Sequence, residues 1–124
     1  MIYGIGTDIV DVKRIEILIS RGEDYVNRVF TKGEISYCSL KKNKFENFAA
    51  RFAAKEAYFK SLGTGWIGEM EFFEIEVIND AFGKPYLKLH GKVREYTDSL
   101  NIKNTFISLS HTQSQALAMV VLEI

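Results

Sequence analysis

The chain has very little cysteine, no excess of either charge and no long apolar run. Cys38 is the one cysteine in 124 residues, so no disulfide can close within the chain. That usage fits a reducing, cytosolic setting. Basic residues number 16 and acidic residues 16, so the formal net charge is zero. This disfavours a protein coated in positive charge for nucleic acid, although local basic patches stay open. No apolar stretch approaches the ~20 residues that a membrane helix needs. Met1-Ile2-Tyr3-Gly4 carries neither the charged run nor the apolar core of a secretory leader. Repeats, linkers and low-complexity tracts are missing too. What is present is 47% apolar residues, enough for a core, in a length that suits one domain over residues 1–124. A domain this small buries limited surface, and oligomers are a common remedy.

The order of elements reads as α+β with a largely antiparallel sheet. Residues 2–10 alternate as a strand, with Ile2, Gly4, Gly6, Asp8 and Val10 on one face. Asp11 is placed to cap a helix over 12–21, whose apolar stripe is Val12, Ile15, Leu18 and Ile19. A short helix around 24–30 follows. Thr31 and Glu34 then make a T-x-x-E capping box for a helix holding Ile35 and Cys38. The strongest helix spans 45–62, where phenylalanine and alanine recur at helical spacing. A loop from Gly63 to Gly68 ends it. Residues 71–78 predict a strand, 79–85 a turn, 86–89 a short strand and 92–100 a helix. Residues 105–110 and 115–123 predict a closing hairpin.

Several familiar chemistries have no support. G-x-x-x-x-G-K-[ST] and G-x-S-x-G do not occur, which leaves no P-loop and no hydrolase elbow. His90, His111 and Cys38 lack the spacing of a zinc finger. What remains is a scattered polar set. Asp8 lies on a strand face that glycines open to close approach; it also suits a plain helix cap or a solvated strand end. Arg51, Lys55, Glu56 and Lys60 mark the long helix at two i,i+4 steps. They read either as a cationic face for a polyphosphate, with Glu56 reserved for a metal, or as a solvated face. Gly63-Thr64-Gly65 reads as an anion-approachable loop or a helix stop. Gly83-Lys84-Pro85 places a lysine on a stiff turn, and His111, beside Thr112, sits at a hairpin mouth with a group that titrates near neutrality.

Taken in order, these segments are more specific than any one alone. Gly4-Ile5-Gly6-Thr7-Asp8-Ile9-Val10 opens the chain. Phe48-Ala49-Ala50-Arg51-Phe52-Ala53-Ala54-Lys55-Glu56-Ala57 leads to Lys60 and Gly63-Thr64-Gly65. Asn79-Asp80 with Gly83-Lys84-Pro85 and then Ser108-Leu109-Ser110-His111-Thr112 complete the series. The pattern resembles the short-chain, holo-[acyl-carrier-protein] synthase type of 4′-phosphopantetheinyl transferase over nearly the whole chain. Larger two-lobed transferases carry a second acidic residue two positions after the first aspartate. Here that position is Val10, which favours the short type.

The resemblance implies an α+β fold assembled as a homotrimer with active sites between subunits. It implies transfer of phosphopantetheine from coenzyme A to a serine of apo-acyl carrier protein, dependent on Mg2+, in support of fatty acid biosynthesis. Asp8 and Glu56 map onto the family's metal ligands, and Lys60 is expected beside the reacting phosphate. Two carboxylates suit a magnesium ion that completes its shell with water and phosphate. Arg51, Lys55, Lys84, His111 and Thr112 are expected around coenzyme A, with Gly63, Gly65, Gly83 and Pro85 shaping its backbone contacts. Arg14 and Arg21, seven apart on the first helix, with Arg28 and Lys13 nearby, are expected to receive the acidic carrier. The proton acceptor stays open between a water, Glu56 and His111. A coenzyme A-binding module without transfer and a nucleic-acid-binding domain are the rival readings; intact Asp8, Glu56 and Lys60 weigh against the first and zero net charge against the second.

Overall fold

The computed structural model describes residues 1–124. Strand β1 (Ile2–Asp11) leads into four helices, α1 (Val12–Ser20), α2 (Glu23–Val29), α3 (Lys32–Ser39) and α4 (Lys44–Ser61). A 3-10 turn at Phe72–Glu74 precedes the hairpin of β2 (Ile75–Asn79) and β3 (Pro85–Leu89). Helix α5 (Gly91–Ser99) and the hairpin β4 (Asn104–His111) and β5 (Gln115–Glu123) complete the chain. All strand pairs are antiparallel. The main sheet runs β1-β5-β4 with β5 in the middle, and β2-β3 form a separate two-stranded sheet.

One face of the main sheet closes on α4, and the small residues anticipated in β1 are the reason. Gly4 and Gly6 point at the helix, and a Cβ on either would overlap its backbone: Ser61 O for Gly4, Ala57 O and Ser61 N for Gly6. On β5, Ala116, Ala118, Val120 and Leu122 present fully buried side chains. On α4, Ala49, Ala53, Ala54 and Ala57 are likewise buried. Glycine and alanine on both sides bring strand and helix backbones nearly into contact. Phe48, Phe52 and Phe59 fill the remaining volume against Phe30 and Phe72.

Local signals account for most boundaries. The capping box forms: Glu34 N donates to Thr31 Oγ1 at 3.1 Å, and Thr31 N donates to Glu34 Oε1 at 3.0 Å. Asp11 occupies the N-cap position of α1, yet its carboxylate accepts no helix N–H. Val12 N donates instead to Ser114 O at 2.9 Å, which ties the start of α1 to the closing hairpin. The strand expected over 71–78 begins only at Ile75. Glu71 and Glu74 close a reciprocal cap around Phe72 and Phe73, and that tight turn replaces extended backbone.

The opposite face of the main sheet stays open. Tyr3, Ile5 and Ile9 of β1, Phe106 of β4, and Leu117 and Met119 of β5 are exposed there. Ile5, Val121 and Phe106 fall in one cross-strand row. Contiguous apolar patches of this kind are uncommon on monomeric proteins.

The Gly6 contact yields a direct test. Gly6→Ala forces the strand away from Ala57 and Ser61, and a urea unfolding titration should show a loss of about 3 kcal/mol or failure to fold. Parent-like stability would contradict the close approach.

Candidate active site

The strand–helix contact delivers two acids and a lysine to one place. Asp8 follows Gly6 on the helix-facing side of β1, opposite Ala118 of β5. Lys60, in the last turn of α4, donates to Asp8 Oδ1 at 3.0 Å and to Thr7 O at 3.2 Å. Its nearest acid is thus Asp8 on the sheet, and the helical i,i+4 relation to Glu56 makes no ion pair. The pair is open to solvent on the lysine side, with Lys60 54% and Asp8 15% exposed.

Glu56 sits one turn before Lys60 and is half-buried. Burial and the neighbouring Asp8 charge push its carboxyl above the usual glutamate range, while Arg14 and Lys60 pull it down. The Asp8 carboxylate is thus near enough to act on Glu56. Two carboxylates at one solvent opening fit a hard divalent cation that takes one or two carboxylates and fills its shell with water and phosphate. No cluster of three or more His, Cys, Asp or Glu side chains exists that would enclose a metal on its own. The arrangement is an open, two-carboxylate site.

Arg51 and Lys55 do not join this group. Five residues separate Arg51 from Glu56, which sets them about 140° apart around the helix. Lys55 is a correction to the sequence expectation. Its ammonium is fully buried, 2.7 Å from Glu34 Oε1, and it also donates to Phe72 O and Ile75 O. All three donors are spent inside the subunit, so Lys55 is not a phosphate ligand. Arg51 is also buried; its guanidinium stacks on Tyr37 at 4.4 Å and donates to Asn79 Oδ1 at 2.5 Å. Its Nε has no partner.

The other expected residues fall at separate points. Gly83, Lys84 and Pro85 lie on the β2–β3 turn, where Phe82 N and Lys84 N donate to Asp80 Oδ1 and Asn79 Nδ2 donates to Gly83 O. This turn is tied to α4 through Asn79 and Arg51. Gly63 and Gly65 take positive φ angles of 83° and 67°, so the loop after α4 makes turns that only glycine adopts freely. His111 ends β4, and its Nδ1 lies 2.8 Å from Glu46 Oε1 in the first turn of α4. Ten residues of helix, about 15 Å, separate Glu46 from Glu56 along the axis. Thr112 Oγ1 accepts from Ser114 N and Gln115 N and shapes the hairpin turn.

Arg14 connects the acidic site to a second surface. Its guanidinium lies over Phe52 at 5.3 Å, close enough to Glu56 to act on its charge. Lys13, Arg14, Ile17, Leu18 and Arg21, with Asp11 as the single acid, line a groove of about 520 Å³ along α1. Arg21 and Arg28 flank the ring of Tyr25 at 5.9 and 5.6 Å. Three cations and two apolar side chains thus share this groove, with Arg14 at once in its lining and near Glu56.

Sequence reasoning passed over Glu46, Tyr37 and Glu34's second role. Glu34 was visible as a capping residue, but its bond to Lys55 crosses 21 positions and has no local signal. Cys38 is buried, and desolvation pushes its thiol up to about 11. A buried thiol raised this far is a poor nucleophile near neutral pH.

Comparison with known proteins agrees with this geometry. Residues 4–120 match the model of the 4′-phosphopantetheinyl transferase superfamily. A holo-[acyl-carrier-protein] synthase of Solibacter usitatus is 46% identical over 99% of both chains. The crystal structure of the Neisseria meningitidis holo-[acyl-carrier-protein] synthase superposes with a TM-score of 0.90 at 37% identity, covering 100% of both chains. That of Helicobacter pylori, in complex with coenzyme A, gives 0.83 at 32% identity, over 96% of this chain and 99% of the other. With that coverage and identity, this chain belongs to the 4′-phosphopantetheinyl transferase superfamily, among the holo-[acyl-carrier-protein] synthases.

Proposed function

We propose that this enzyme transfers the phosphopantetheine arm of coenzyme A to a serine of apo-acyl carrier protein, using the Asp8–Glu56–Lys60 group. The observation that carries the assignment is the solvent-facing Lys60 paired with Asp8 at the β1–α4 junction, with the Glu56 carboxylate one helical turn back. In the reaction the serine Oγ forms a bond to the pantetheine-side phosphorus. The bond from that phosphorus to the bridging oxygen breaks, and adenosine 3′,5′-bisphosphate leaves. Asp8 and Glu56 would hold Mg2+, which when bound offsets charge on the phosphate oxygens.

The side chains divide the remaining work. Lys60 bonds to Asp8 and Thr7 O and keeps one ammonium proton free for a phosphate oxygen. A donor already aimed before reaction stabilises developing charge without reorganising. The serine proton would pass to a water beside the two carboxylates, because a carboxylate that holds a metal is a poorer base. Within one subunit His111 is bound to Glu46 near the far end of α4; in this reading it serves coenzyme A and not the serine. The Asp80-pinned turn at Gly83–Pro85, held at its base by Arg51 through Asn79, would meet the nucleotide end; the Gly63–Gly65 loop would meet the pantetheine arm.

Two features support a homotrimer with shared sites. The exposed face of Tyr3, Ile5, Ile9, Phe106, Leu117 and Met119 supplies an apolar surface for copies to meet on. A domain of 124 residues also buries limited surface by itself, and assembly of copies is a common remedy. The basic groove of Arg14, Leu18 and Arg21 suits an acidic helix of the carrier, delivering its serine beside Glu56. No helix is long and apolar enough to cross a membrane.

Incubation with apo-carrier, coenzyme A and magnesium should add one phosphopantetheine to the carrier by intact mass. Asp8→Ala and Glu56→Ala should each reduce kcat at least about 100-fold while the protein stays folded; an unmodified carrier with the parent enzyme would sink the assignment. Charge reversal at Arg14 and Arg21 should raise KM for the carrier about tenfold or more and leave coenzyme A affinity unchanged by calorimetry. Loss of coenzyme A binding in a folded double variant would refute that division. Ile9→Glu should turn a trimer into monomers by light scattering and abolish transfer; an active monomer would rule out sites shared between copies.

A further inference from the structure

The hairpin β2–β3 has an unusual support. A two-stranded sheet alone is marginally stable in water. Its even-numbered residues face inward: Glu74 O accepts from His90 N, and Asp80 N donates to Lys84 O. Ile75 and Val77 therefore turn their backbone groups to the outer edge of β2, where no strand lies. An unsatisfied buried edge is costly. Two side chains take the place of the missing strand. Lys55 donates to Ile75 O, and Glu34 Oε2 accepts from Val77 N at 3.0 Å.

These two side chains are the members of the fully buried ion pair. Lys55 Nζ spends its other donors on Glu34 Oε1 and Phe72 O, and Glu34 Oε1 also accepts from Thr31 N. Ionic charge inside a core is an inefficient way to gain stability, and apolar groups of the same size often serve as well. Its advantage is directional: one ammonium and one carboxylate set the height of β2 against α3 and α4. One turn earlier on α4, Arg51 grips Asn79 at the far end of the same strand. Three residues of β2, at alternate positions 75, 77 and 79, are thus pinned to a scaffold whose next helical residue is Glu56.

We propose that the Glu34–Lys55 pair is a positioning device for coenzyme A: it fixes the β2–β3 hairpin, and so the Gly83–Pro85 turn, at a set place relative to the helix that carries Glu56. This rests on the reading that the turn meets coenzyme A. Neither residue touches substrate. Both act through the hairpin, so their loss weakens coenzyme A binding and spares the chemical step and the carrier surface.

The test uses the full-length protein and two variants. Glu34→Gln keeps shape and an acceptor for Val77 N but removes the charge. Glu34→Leu combined with Lys55→Met replaces the pair by apolar groups, which are expected to retain a melting temperature near the parent's. Hydrogen exchange without any ligand should become faster in residues 75–89 of both variants and stay unchanged in β1, β4 and β5. KM for coenzyme A should rise about three- to tenfold, with kcat within about twofold and KM for the carrier unaltered. Parent-like exchange in the hairpin overturns the proposal, and so does an unchanged KM for coenzyme A. A fall in kcat alone also overturns it, because that would place the effect on Glu56. If the parent enzyme transfers nothing, the functional reading fails, and the exchange result still decides whether the pair holds the hairpin. Should the double variant not fold, Glu34→Gln decides alone.

Discussion

Helix α4 lies on strand β1 with no side chain between them at Gly4 and Gly6, and the rest of the site follows from that contact. Backbone touching backbone leaves the next helix-facing strand residue, Asp8, level with the last turns of α4. Lys60 then reaches Asp8 and Thr7 O without leaving its helix. Glu56, one turn back, comes close enough to Asp8 to feel its charge. A larger residue at Gly6 would part the two elements and separate the groups that carry the chemistry. The buried alanines on α4 and β5 serve the same end on the other side of the contact.

The helix divides its polar residues by face. Glu56 and Lys60 look toward β1 and solvent; Arg51 and Lys55 look toward α3 and β2. The first pair is chemical and the second is architectural. Electrostatics differ accordingly. At the open site, two carboxylates at one solvent opening suit a divalent cation, and water screens what is left. In the interior, burial pushes the Lys55 pKa down, and the Glu34 carboxylate beside it works against that shift. The same helix thereby supplies a reactive edge and a rigid anchor for the hairpin opposite.

The fold was legible in the chain where periodicity was local. The alternation of residues 2–10, the T-x-x-E box at Thr31 and the Phe–Ala helix each predicted an element that exists. The strand expected at 71–78 failed in its first half because Glu71 and Glu74 cap each other, a contest between side-chain bonds and propensity that pattern alone does not weigh. Asp8, Glu56 and Lys60 were found by family resemblance, since a strand carboxylate 48 positions before a helical one carries no spacing rule.

By itself the sequence determined the element order, the small residues that permit the β1–α4 contact and the family. These depend on nearest neighbours along the chain or on ordered motifs. Only the tertiary structure decided that Lys60 pairs with Asp8 and not with Glu56, and that Lys55 serves Glu34 and the edge of β2. It also decided that His111 answers to Glu46. The physical reason is the same in each case. A long cationic or imidazole side chain takes the partner that packing brings within about 3 Å, and packing joins residues that are tens of positions apart.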